Sequence, residues 1–291
     1  RPVKICLACS ARFVDPSWTC PRCKAMPRQV DGFTAFSPES SGHEGGFSAE
    51  VFARLAGVEA EHFWFRARNR LIAWALRTRF PGARTFLEIG CGTGFVLSGL
   101  STAVPGLLLH GSEFSIAGLP YAAARVPSAR LFQMDARKIP FAEEFDVIGA
   151  FDVLEHIEED LDVLARMREA TAPGGGILVT VPQHRFLWSP TDERAGHVRR
   201  YGRRDLVRKV RRAGLRVELA TSFVSLLLPA MLASRLSARR TTSTRDPLAE
   251  FRLAPWKNRL FERVMDLERK LIERGVSFPA GGSLLLVARR D

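Results

Sequence analysis

The sequence predicts an α/β protein built on a doubly wound, mostly parallel sheet. Three observations lead to this prediction. Short apolar segments alternate with helical segments through the middle of the chain, as they do where helices join parallel strands. A glycine-rich turn follows the first of these apolar segments and opens a helix. Four of the five cysteines lie within the first 23 residues, which indicates a small amino-terminal module beside the sheet.

Size and composition fit a globular protein with more than one domain. The chain has 291 residues, of which 46% are hydrophobic and 25% are charged, so collagen-like, disordered and multi-span membrane classes are disfavoured. The 43 Lys and Arg residues outnumber the 31 Asp and Glu residues, which gives a net charge of +12. This surplus favours nucleic acid, an anionic membrane or a phosphorylated substrate as a partner, or else a solvated arginine-rich surface.

The sequence shows no secretory signal and no membrane span. The amino end has no apolar run followed by a small-residue cleavage site. The most apolar stretch, residues 219–233, is short and is interrupted by Ser222, Ser225 and Pro229. We therefore expect a cytoplasmic protein with reduced cysteines, and attachment to the inner face of the membrane is the alternative.

The amino-terminal cysteines form two C-x-x-C pairs. Cys6 and Cys9 are separated by ten residues from Cys20 and Cys23, a spacing that lets both pairs bind one tetrahedral ion. We predict a zinc-ribbon-like module over residues 1–30 with one structural zinc ion. Iron on the same ligands and a chance pairing are the alternatives. A module of this size has no core of its own, so the metal would stabilise its fold.

Next in the chain come a linker and a helical cap. Residues 31–50 are rich in Gly and Ser and predict a linker. Residues 51–82 have apolar positions at helical spacing and end at Pro81-Gly82, as helices do.

The main domain is predicted over residues 83–222 and 280–291. Its predicted strands are residues 85–89, 107–110, 129–133, 145–151, 177–181, 215–220 and 283–287. Its predicted helices are residues 96–100, 116–124 and 161–170.

A helical insertion, residues 223–279, separates the last two strands. It contains an apolar segment and a basic amphipathic helix. We expect it to pack on the domain as a helical cap. The alternative is a lid over an apolar or lipid-linked acceptor, which contacts an anionic membrane through its apolar face and its arginines.

The glycine-rich turn is the most specific motif. The run E-I-G-C-G-T-G extends from Glu88 to Gly94 and opens a helix, so backbone amides face whatever lies over the turn. A dinucleotide fingerprint needs glycine at position 95, where this chain has Phe95. The G-x-G-x-G spacing, with an acid two residues before the first glycine, suits a nucleoside carrying an amino-acid group, because its ammonium group needs a carboxylate.

On these residues the sequence resembles the class I S-adenosylmethionine-dependent methyltransferases, whose first motif is L-E-I-G-C-G-T-G-F. The resemblance covers about residues 61–219 and the last ten residues, and it implies a Rossmann-like sheet of seven strands. It implies that Glu113 and Phe114 hold the ribose and adenine, that Asp135 and Ala136 contact the adenine edge, and that residues 151–154 lie under the methyl group. The implied cofactor site comprises Arg68, Glu88, Gly90, Cys91, Gly92, Gly94, Glu113, Phe114, Asp135, Ala136, Phe151 and Asp152.

The later motifs resemble the branch that holds the quinone-biosynthesis O-methyltransferases. These motifs are D-V-L-E-H-I after the fourth strand and H-V-R-R-Y further along the chain. The resemblance implies in-line methyl transfer to a small-molecule or lipid-linked acceptor, with oxygen as the favoured acceptor atom. A general base assists such a reaction. The candidate bases or pocket residues are His156, His197 and Tyr201, and we expect His184 to be structural.

A second metal site is an alternative at the same place. Asp152, Glu155 and His156 lie on adjacent turns, and His197 could return from the later loop as a fourth ligand, an arrangement that resembles a small-RNA 2'-O-methyltransferase group. We prefer a metal-free pocket here.

Two other functions compete with this one. A cysteine module before a methyltransferase domain resembles the rRNA guanine-N1 methyltransferases, and the basic run from Arg199 to Arg212 could follow a phosphate backbone. The ribbon of that group closes with His, where this chain has Cys23. The third function is that of a non-catalytic regulatory protein that binds S-adenosylmethionine, which the intact glycine motif, Glu113 and Asp135 disfavour. The sequence predicts neither the acceptor's identity nor the oligomeric state.

Overall fold

The computed structural model describes residues 3–15, 17–38, 47–238 and 253–291, and these residues form a large mixed sheet with helices on both faces. The strands are β1 Val3–Ile5, β2 Arg12–Phe13, β3 Arg28–Val30, β4 Phe33–Ala35, β5 Thr85–Ile89, β6 Leu108–Glu113, β7 Arg130–Gln133, β8 Phe141–Ala142, β9 Phe145–Phe151, β10 Thr171–Pro182, β11 Arg216–Phe223 and β12 Ser283–Arg289. The helices are α1 Ala49–Val58, α2 Phe63–Arg79, α3 Phe95–Ala103, α4 Leu119–Arg125, α5 Asp160–Ala170, α6 Pro190–Arg194, α7 Arg203–Arg212, α8 Leu228–Ala238 and α9 Pro255–Glu273.

The strand order confirms the predicted doubly wound sheet. It runs β11-β12-β10-β9-β5-β6-β7-β4-β3, with β5, β6, β7, β9 and β10 parallel and β12 antiparallel to both of its neighbours. The carboxyl ends of the parallel strands therefore meet at one edge, where ligands bind in open α/β sheets. All seven predicted strands are present.

Two further strands extend the sheet beyond those seven. The hairpin of β3 and β4 continues the sheet beside β7, with Thr34 opposite Phe132 and Ala35 opposite Gln133. The buried Gln133 side chain fixes this hairpin, because its amide donates to the carbonyl of Ser37 and accepts the Ser37 N–H, each at 3.0 Å. Residues 33–35 thus belong to the sheet, although the sequence predicts a linker over 31–50. Residues 39–46 of that linker lie outside the described residues.

The sheet separates two apolar cores. On one face α2, α3 and α9 cover residues such as Leu285 and Val287, and on the other face α5 and α7 cover Leu284 and Leu286. Successive side chains of β12 therefore enter opposite cores, as expected for a strand buried on both faces.

The cysteine module is attached to the main domain by strand pairing and aromatic contacts. Strand β1 pairs with β8, with Lys4 opposite Phe141. The Trp18 ring lies against Phe36 and Phe141, with ring centroids 4.6 and 5.4 Å apart. The module therefore covers apolar surface of the main domain as well as holding the cysteines.

The helical insertion lies along α2. The rings of Phe63 and Phe261 are 5.4 Å apart, and Arg66 and Arg70 of α2 pair with Glu262 of α9. Residues 239–252 of the insertion are outside the described residues. Among the described helices, we find none with the length and apolar composition needed to cross a membrane.

Candidate functional site

The glycine turn after β5 has a conformation that requires glycine at two positions. Gly90 and Gly94 have φ angles of +67° and +76°, a region that residues with a Cβ rarely adopt. A Cβ on Gly90 would lie 2.6 Å from Val153 Cγ2, and one on Gly94 would lie 2.9 Å from the Ala122 backbone. Gly94 is also the N-cap of α3, which has no side-chain cap, so the turn and the helix start can face an anionic or polar ligand.

Glu113, at the end of β6, is bound to the same turn. Its Oε2 accepts the N–H of Gly92 at 2.9 Å, and its Oε1 accepts the N–H of Ser115 at 3.2 Å. Burial raises the pKa of this carboxyl, and the two backbone donors act against that rise. Each oxygen keeps a lone pair for a further donor, which fits the pair of ribose hydroxyls expected here.

An acid and an arginine lie at the other end of the turn. Glu88 is buried, and its Oε2 has no hydrogen-bond partner among the described residues. Burial raises its pKa well above the usual range, and the Arg68 charge opposes that rise. Arg68 forms an ion pair with Asp152 and stacks on Trp64, with its guanidinium carbon 4.4 Å from the ring centroid. Glu88 and Arg68 thus match the ammonium and carboxylate of an amino-acid group.

The remaining expected cofactor residues follow β7 and β9. Arg137 binds the Asp135 carboxylate, with its Nη2 2.8 Å from Oδ2, and this contact helps to lower the pKa of Asp135 against the effect of burial. Ala136 and Phe151 are buried, and Phe114 is half-buried. Except for Phe151, which ends β9, these positions complete what we call the cofactor half of the site, which comprises the carboxyl ends of β5, β6 and β7 together with Arg68 of α2.

Cys91 departs from its expected role. Its thiol is buried in the apolar core beneath the turn, and its N–H donates to the carbonyl of Ser112 at 2.8 Å. Burial raises the pKa of this thiol well above its usual range. Cys91 therefore supports the turn from below and presents no side chain to a ligand.

Sequence reasoning missed a network that holds the cap helices onto the turn. Arg125 Nη1 lies 2.6 Å from both Glu59 Oε2 and Thr93 Oγ1, and the Thr93 hydroxyl donates to Glu59 at 2.5 Å. Phe52 of α1 is buried over the same turn, 3.9 Å from the place of a Cβ on Gly92. No motif in the sequence marks these residues, because they come from three separate segments.

The acceptor half of the site comprises the carboxyl ends of β9 and β10 and the loop that leads to α7. Here the structure brings together Glu155, His156 and His197, whose ligand atoms lie within 4.8 Å of one another. The two imidazole rings are 4.7 Å apart, and His197 Nε2 is 4.0 Å from Glu155 Oε1. Three groups that are distant in sequence thus form one polar cluster.

Polar groups in this half are buried without partners. Glu155 and Gln183 are fully buried, and neither the Glu155 carboxylate oxygens nor the Gln183 amide atoms have a hydrogen-bond partner among the described residues. Burial raises the pKa of Glu155 well above its usual range. Since buried polar groups are normally satisfied, these atoms indicate a place where a ligand supplies the partners.

His197 is oriented by Asp192. Its Nδ1 lies 2.9 Å from Asp192 Oδ1, and because a carboxylate can only accept, Nδ1 carries a proton and Nε2 faces the cluster. Arg200 also binds Asp192, and these two donors hold the pKa of Asp192 far below its usual range despite its burial. Asp192 was missed, although Ser189-Pro-Thr-Asp192 has the pattern of a capping box, which the structure forms at α6.

His156 is neutral in this environment. Burial, together with the neighbouring His197, lowers its pKa to about 4. The ring forms hydrogen bonds to the backbone of Ala195 and Gly196, and Phe47 packs against it with ring centroids 5.8 Å apart. A ring with this pKa stays uncharged at neutral pH and is a weak base there.

Tyr201 is not available to an acceptor, contrary to its expected candidacy as a base. Its side chain is fully buried, and its hydroxyl donates to Asp160 Oδ2 at 2.6 Å. Burial and the Asp160 charge raise its pKa far above the usual range, so its phenolate does not form at neutral pH. Tyr201 therefore anchors the loop to the core.

The alternative metal set is only partly assembled. Asp152 is held by Arg68 and does not belong to the group of ligand atoms formed by Glu155, His156 and His197.

The amino-terminal cysteines have the geometry of a metal site. The Sγ atoms of Cys6 and Cys23 are 3.5 Å apart, and those of Cys9 and Cys20 are 3.7 Å apart. Tetrahedral zinc with Zn–S bonds of about 2.3 Å separates its sulfurs by about 3.8 Å. The four sulfurs lie within 4.8 Å of one another, so these residues are a group that could hold one zinc ion.

Comparison with known proteins agrees with this geometry. A model of a family described as a methyltransferase domain matches residues 58–220, which is more than half of the chain. A Mycolicibacterium smegmatis protein named as an S-adenosylmethionine-dependent methyltransferase is 28% identical over 171 residues, 56% of this chain and 63% of that one. A trans-aconitate 2-methyltransferase from Variovorax paradoxus is 30% identical over 110 residues, 38% of this chain and 42% of its own. The chain thus spans less than two thirds of the curated relatives it matches.

Solved structures share the fold at low identity. A Haloferax volcanii methyltransferase in complex with the Trm112 methyltransferase activator has a TM-score of 0.54 and 19% identity, covering 83% of this chain and 94% of its own. The [4+2]-cyclase SpnF has a TM-score of 0.52 and 18% identity, covering 78% of this chain and 83% of its own. At these identities the similarity concerns the fold alone.

Proposed function

The chain belongs to the class I S-adenosylmethionine-dependent methyltransferases, and we propose that it methylates a small-molecule or lipid-linked acceptor, with oxygen favoured as the acceptor atom. One observation carries this proposal. A glycine turn with a buried acid at each end lies at the same edge of the sheet as a second cluster, which comprises the buried Glu155 and the half-buried His156 and His197. The cofactor half fits a cofactor of fixed structure, and the acceptor half fits a separate acceptor.

The cofactor half has the groups needed to hold S-adenosylmethionine by its two ends. Glu88 offers the free oxygen Oε2 to the ammonium group, and Arg68 lies beside it for the carboxylate. Glu113 faces the ribose, and Asp135 and Phe114 face the adenine. When bound, this cofactor supplies a methyl group already activated on a sulfonium. The chain's own residues therefore need only to align the acceptor and exclude water.

The acceptor half offers a base. His197 Nε2 is positioned to take the acceptor's proton, and Asp192, hydrogen-bonded to Nδ1, stabilises the positive charge that the ring then carries. The neutral His156 packs at the same place and aligns the acceptor. The buried Gln183 also supports the proposal of a polar acceptor, because neither of its amide atoms has a hydrogen-bond partner among the described residues. The name of the Variovorax relative, which refers to the small molecule trans-aconitate, also supports a small-molecule acceptor.

Cofactor binding tests the proposal first. Isothermal titration with S-adenosylmethionine is expected to show that Glu113→Ala weakens binding by about 10- to 150-fold, as for the loss of a charged hydrogen bond. Glu158→Ala, an exposed carboxylate outside the site, is the matched control and should bind as the wild type does. Equal affinity in all three proteins would contradict the cofactor assignment.

Identification of the acceptor tests the second part. Cells carrying the gene should accumulate a small molecule or lipid that is heavier by one methylene, about 14 daltons, and the His197→Ala variant should accumulate much less of it. A chain that binds the cofactor but methylates nothing would favour the regulatory alternative. A mass gain on rRNA would favour the RNA alternative.

The basic run weighs against the RNA alternative. Arg199 and Lys209 both pair with Asp160, at 2.7 and 2.5 Å, and Arg200 is buried against Asp192. These cations hold the loop and α7 together, so they do not form part of a free strip for phosphates.

A second candidate chemistry is metal-assisted transfer, which the cluster of Glu155, His156 and His197 favours. A divalent ion held there would orient and acidify a hydroxyl acceptor. Dialysis against a chelator followed by added Mg²⁺ or Mn²⁺ distinguishes the two mechanisms. We expect activity to survive dialysis, and a loss that either metal restores would establish the metal mechanism.

We also propose that the cysteine module binds one structural zinc ion. Its four thiolates leave no open position, so the ion takes no part in catalysis. Metal analysis should find about one zinc per chain and none in Cys9→Ser/Cys20→Ser. Iron in place of zinc would overturn the assignment of the metal.

A further inference from the structure

The acids of helix α9 are all engaged by other groups of the protein. Glu262 pairs with Arg66 and Arg70 of α2, and Asp266 pairs with Arg70. Glu268 is buried and accepts the N–H groups of Ser225 and Leu226. Glu273 pairs with Arg269 of the same helix.

The outward side of α9 carries cations and large apolar side chains. At 100° per residue, its outward residues fall within an arc of about 100°. They are Trp256, Arg259, Leu260, Arg263, Leu267, Lys270 and Arg274. Among the described residues these cations have no ion-pair partner, and we call this surface the outward face of α9.

Three of these apolar side chains are unusually exposed. Trp256 is 59% exposed, Leu260 is 48% exposed and Leu267 is 53% exposed. They recur along about 17 Å of helix, with an arginine or lysine between successive members. A helix with water on this side gains no stability from exposing such a row of apolar side chains. A helix that lies in a lipid interface instead inserts the apolar side chains into the lipid and extends its cations to the headgroups.

We propose that the outward face of α9 binds an anionic lipid bilayer, with the helix lying flat in the headgroup region. The charge distribution selects this partner, since each acid of α9 is engaged by another group of the protein, whereas the four cations of the outward face have no ion-pair partner among the described residues. A bilayer also matches the mixture of tryptophan, leucine and arginine better than a protein groove does, because it accepts both kinds of side chain along the whole helix.

The position of α9 relates this face to the site. Asn258 fastens the start of α9 to the start of α2, accepting the N–H of Phe63 at 2.8 Å and donating to the carbonyl of Glu61 at 2.6 Å. Arg68 of the cofactor half lies in the first half of α2. Arg66 and Arg70, on either side of Arg68 in α2, pair with Glu262 and Asp266, so the middle of α9 lies beside the part of α2 that carries Arg68.

Vesicle sedimentation tests the binding without requiring activity. The full chain is mixed with vesicles of phosphatidylcholine alone or with added phosphatidylglycerol. We expect binding only to the anionic vesicles and weaker binding as NaCl concentration rises. Arg263→Glu/Lys270→Glu should lower the partition coefficient by about 10- to 100-fold.

The matched control reverses two exposed cations on the opposite face of the sheet. Arg204→Glu/Arg211→Glu on α7 changes the net charge by the same amount and should retain most of the binding. An equal loss in both variants would show that the total charge, and not this face, attracts the lipid. Failure of the wild type to bind anionic vesicles would overturn the proposal outright.

Tryptophan emission locates the contact. The wild type should shift its emission to the blue on anionic vesicles, and Trp256→Phe should lose most of that shift while still sedimenting with them. A shift that persists in Trp256→Phe would place the contact elsewhere. This experiment does not depend on the proposed methyl transfer, so either can fail alone.

Discussion

The two halves of the site differ in how their buried polar groups are satisfied. In the cofactor half, Glu113 accepts from two backbone amides, and Asp135 is bound by Arg137. In the acceptor half, Glu155 and Gln183 are buried without side-chain partners among the described residues. The cofactor half therefore satisfies Glu113 and Asp135 before a ligand arrives, whereas the acceptor half leaves Glu155 and Gln183 unsatisfied.

This difference follows from what each half must recognise. A cofactor of fixed structure can be matched by backbone geometry, which side-chain changes leave intact. An acceptor is recognised by side-chain groups whose partners it must supply, and leaving those groups unpaired costs stability in the free protein. Glu88 Oε2 is the exception in the cofactor half, and we assign it to the cofactor's ammonium group.

The largest expected effect comes from adding a single methyl group to the cofactor half. Gly94→Ala places a Cβ 2.9 Å from the Ala122 backbone at a positive φ, so the turn must move and cofactor binding should fall at least about 100-fold. Gly106→Ala is the control, because that glycine also has a positive φ, +86°, but no atom within 4 Å of a Cβ. Titration calorimetry checks both variants, and equal affinities would show that the turn is adaptable.

Removing either imidazole should affect the acceptor half alone. His197→Ala and His156→Ala are expected to slow methyl transfer, by about 10²- to 10⁴-fold where the ring acts as the base, and to leave the cofactor dissociation constant within about twofold. Single-turnover rates and titrations measure the two quantities separately. An acceptor that is methylated at the normal rate by both variants must be nucleophilic without help.

Neutralising one acid in each half should change stability in opposite directions. Glu155→Gln removes a carboxyl whose ionised form burial disfavours, and because the pKa of Glu155 is raised on folding, the variant should gain stability over the wild type as pH rises above 4.5. Glu113→Gln places an NH₂ group against a backbone N–H donor, so the free energy of unfolding should fall by about 1–2 kcal/mol. Urea unfolding measures both, and loss of stability in Glu155→Gln would mean that its carboxylate has a partner in solution.

A pH dependence of stability is expected to arise from His156, and it is confined to acidic solution. Its pKa is about 4 in the folded chain, below the ordinary histidine value of 6.5, so the unfolded chain binds more protons between these values. Its contribution to stability should be fully present above pH 6.5 and fall as pH drops toward 4, by about 1–3 kcal/mol. His156→Gln should flatten this part of the curve and leave the stability between about pH 7 and 8 unchanged. An identical acid slope in both proteins would assign the titration to other groups.

Short motifs in the sequence predicted where the residues of the cofactor half and the four cysteines lie in the fold. The glycine turn, Glu113 and Asp135 each follow a strand, so their place at the carboxyl edge follows from the alternation of strands and helices. The spacing of Cys6, Cys9, Cys20 and Cys23 reflects local chain geometry, which brings the four sulfurs within 4.8 Å of one another. Chemistry that depends on neighbours in sequence can be predicted from sequence.

Only the tertiary structure decided the rest, because its determinants lie far apart in the chain. Asp192 orients His197 toward Glu155, and the burial of Tyr201 against Asp160 removes it from the candidate bases. The hairpin of β3 and β4 joins the sheet because β7 offers it an edge, which a Gly- and Ser-rich segment does not reveal. The pairing of two acids of α9 depends on the arginines of α2, nearly 200 residues earlier. Burial, ion pairing and edge pairing are properties of surfaces that meet on folding, so a single sequence does not display them.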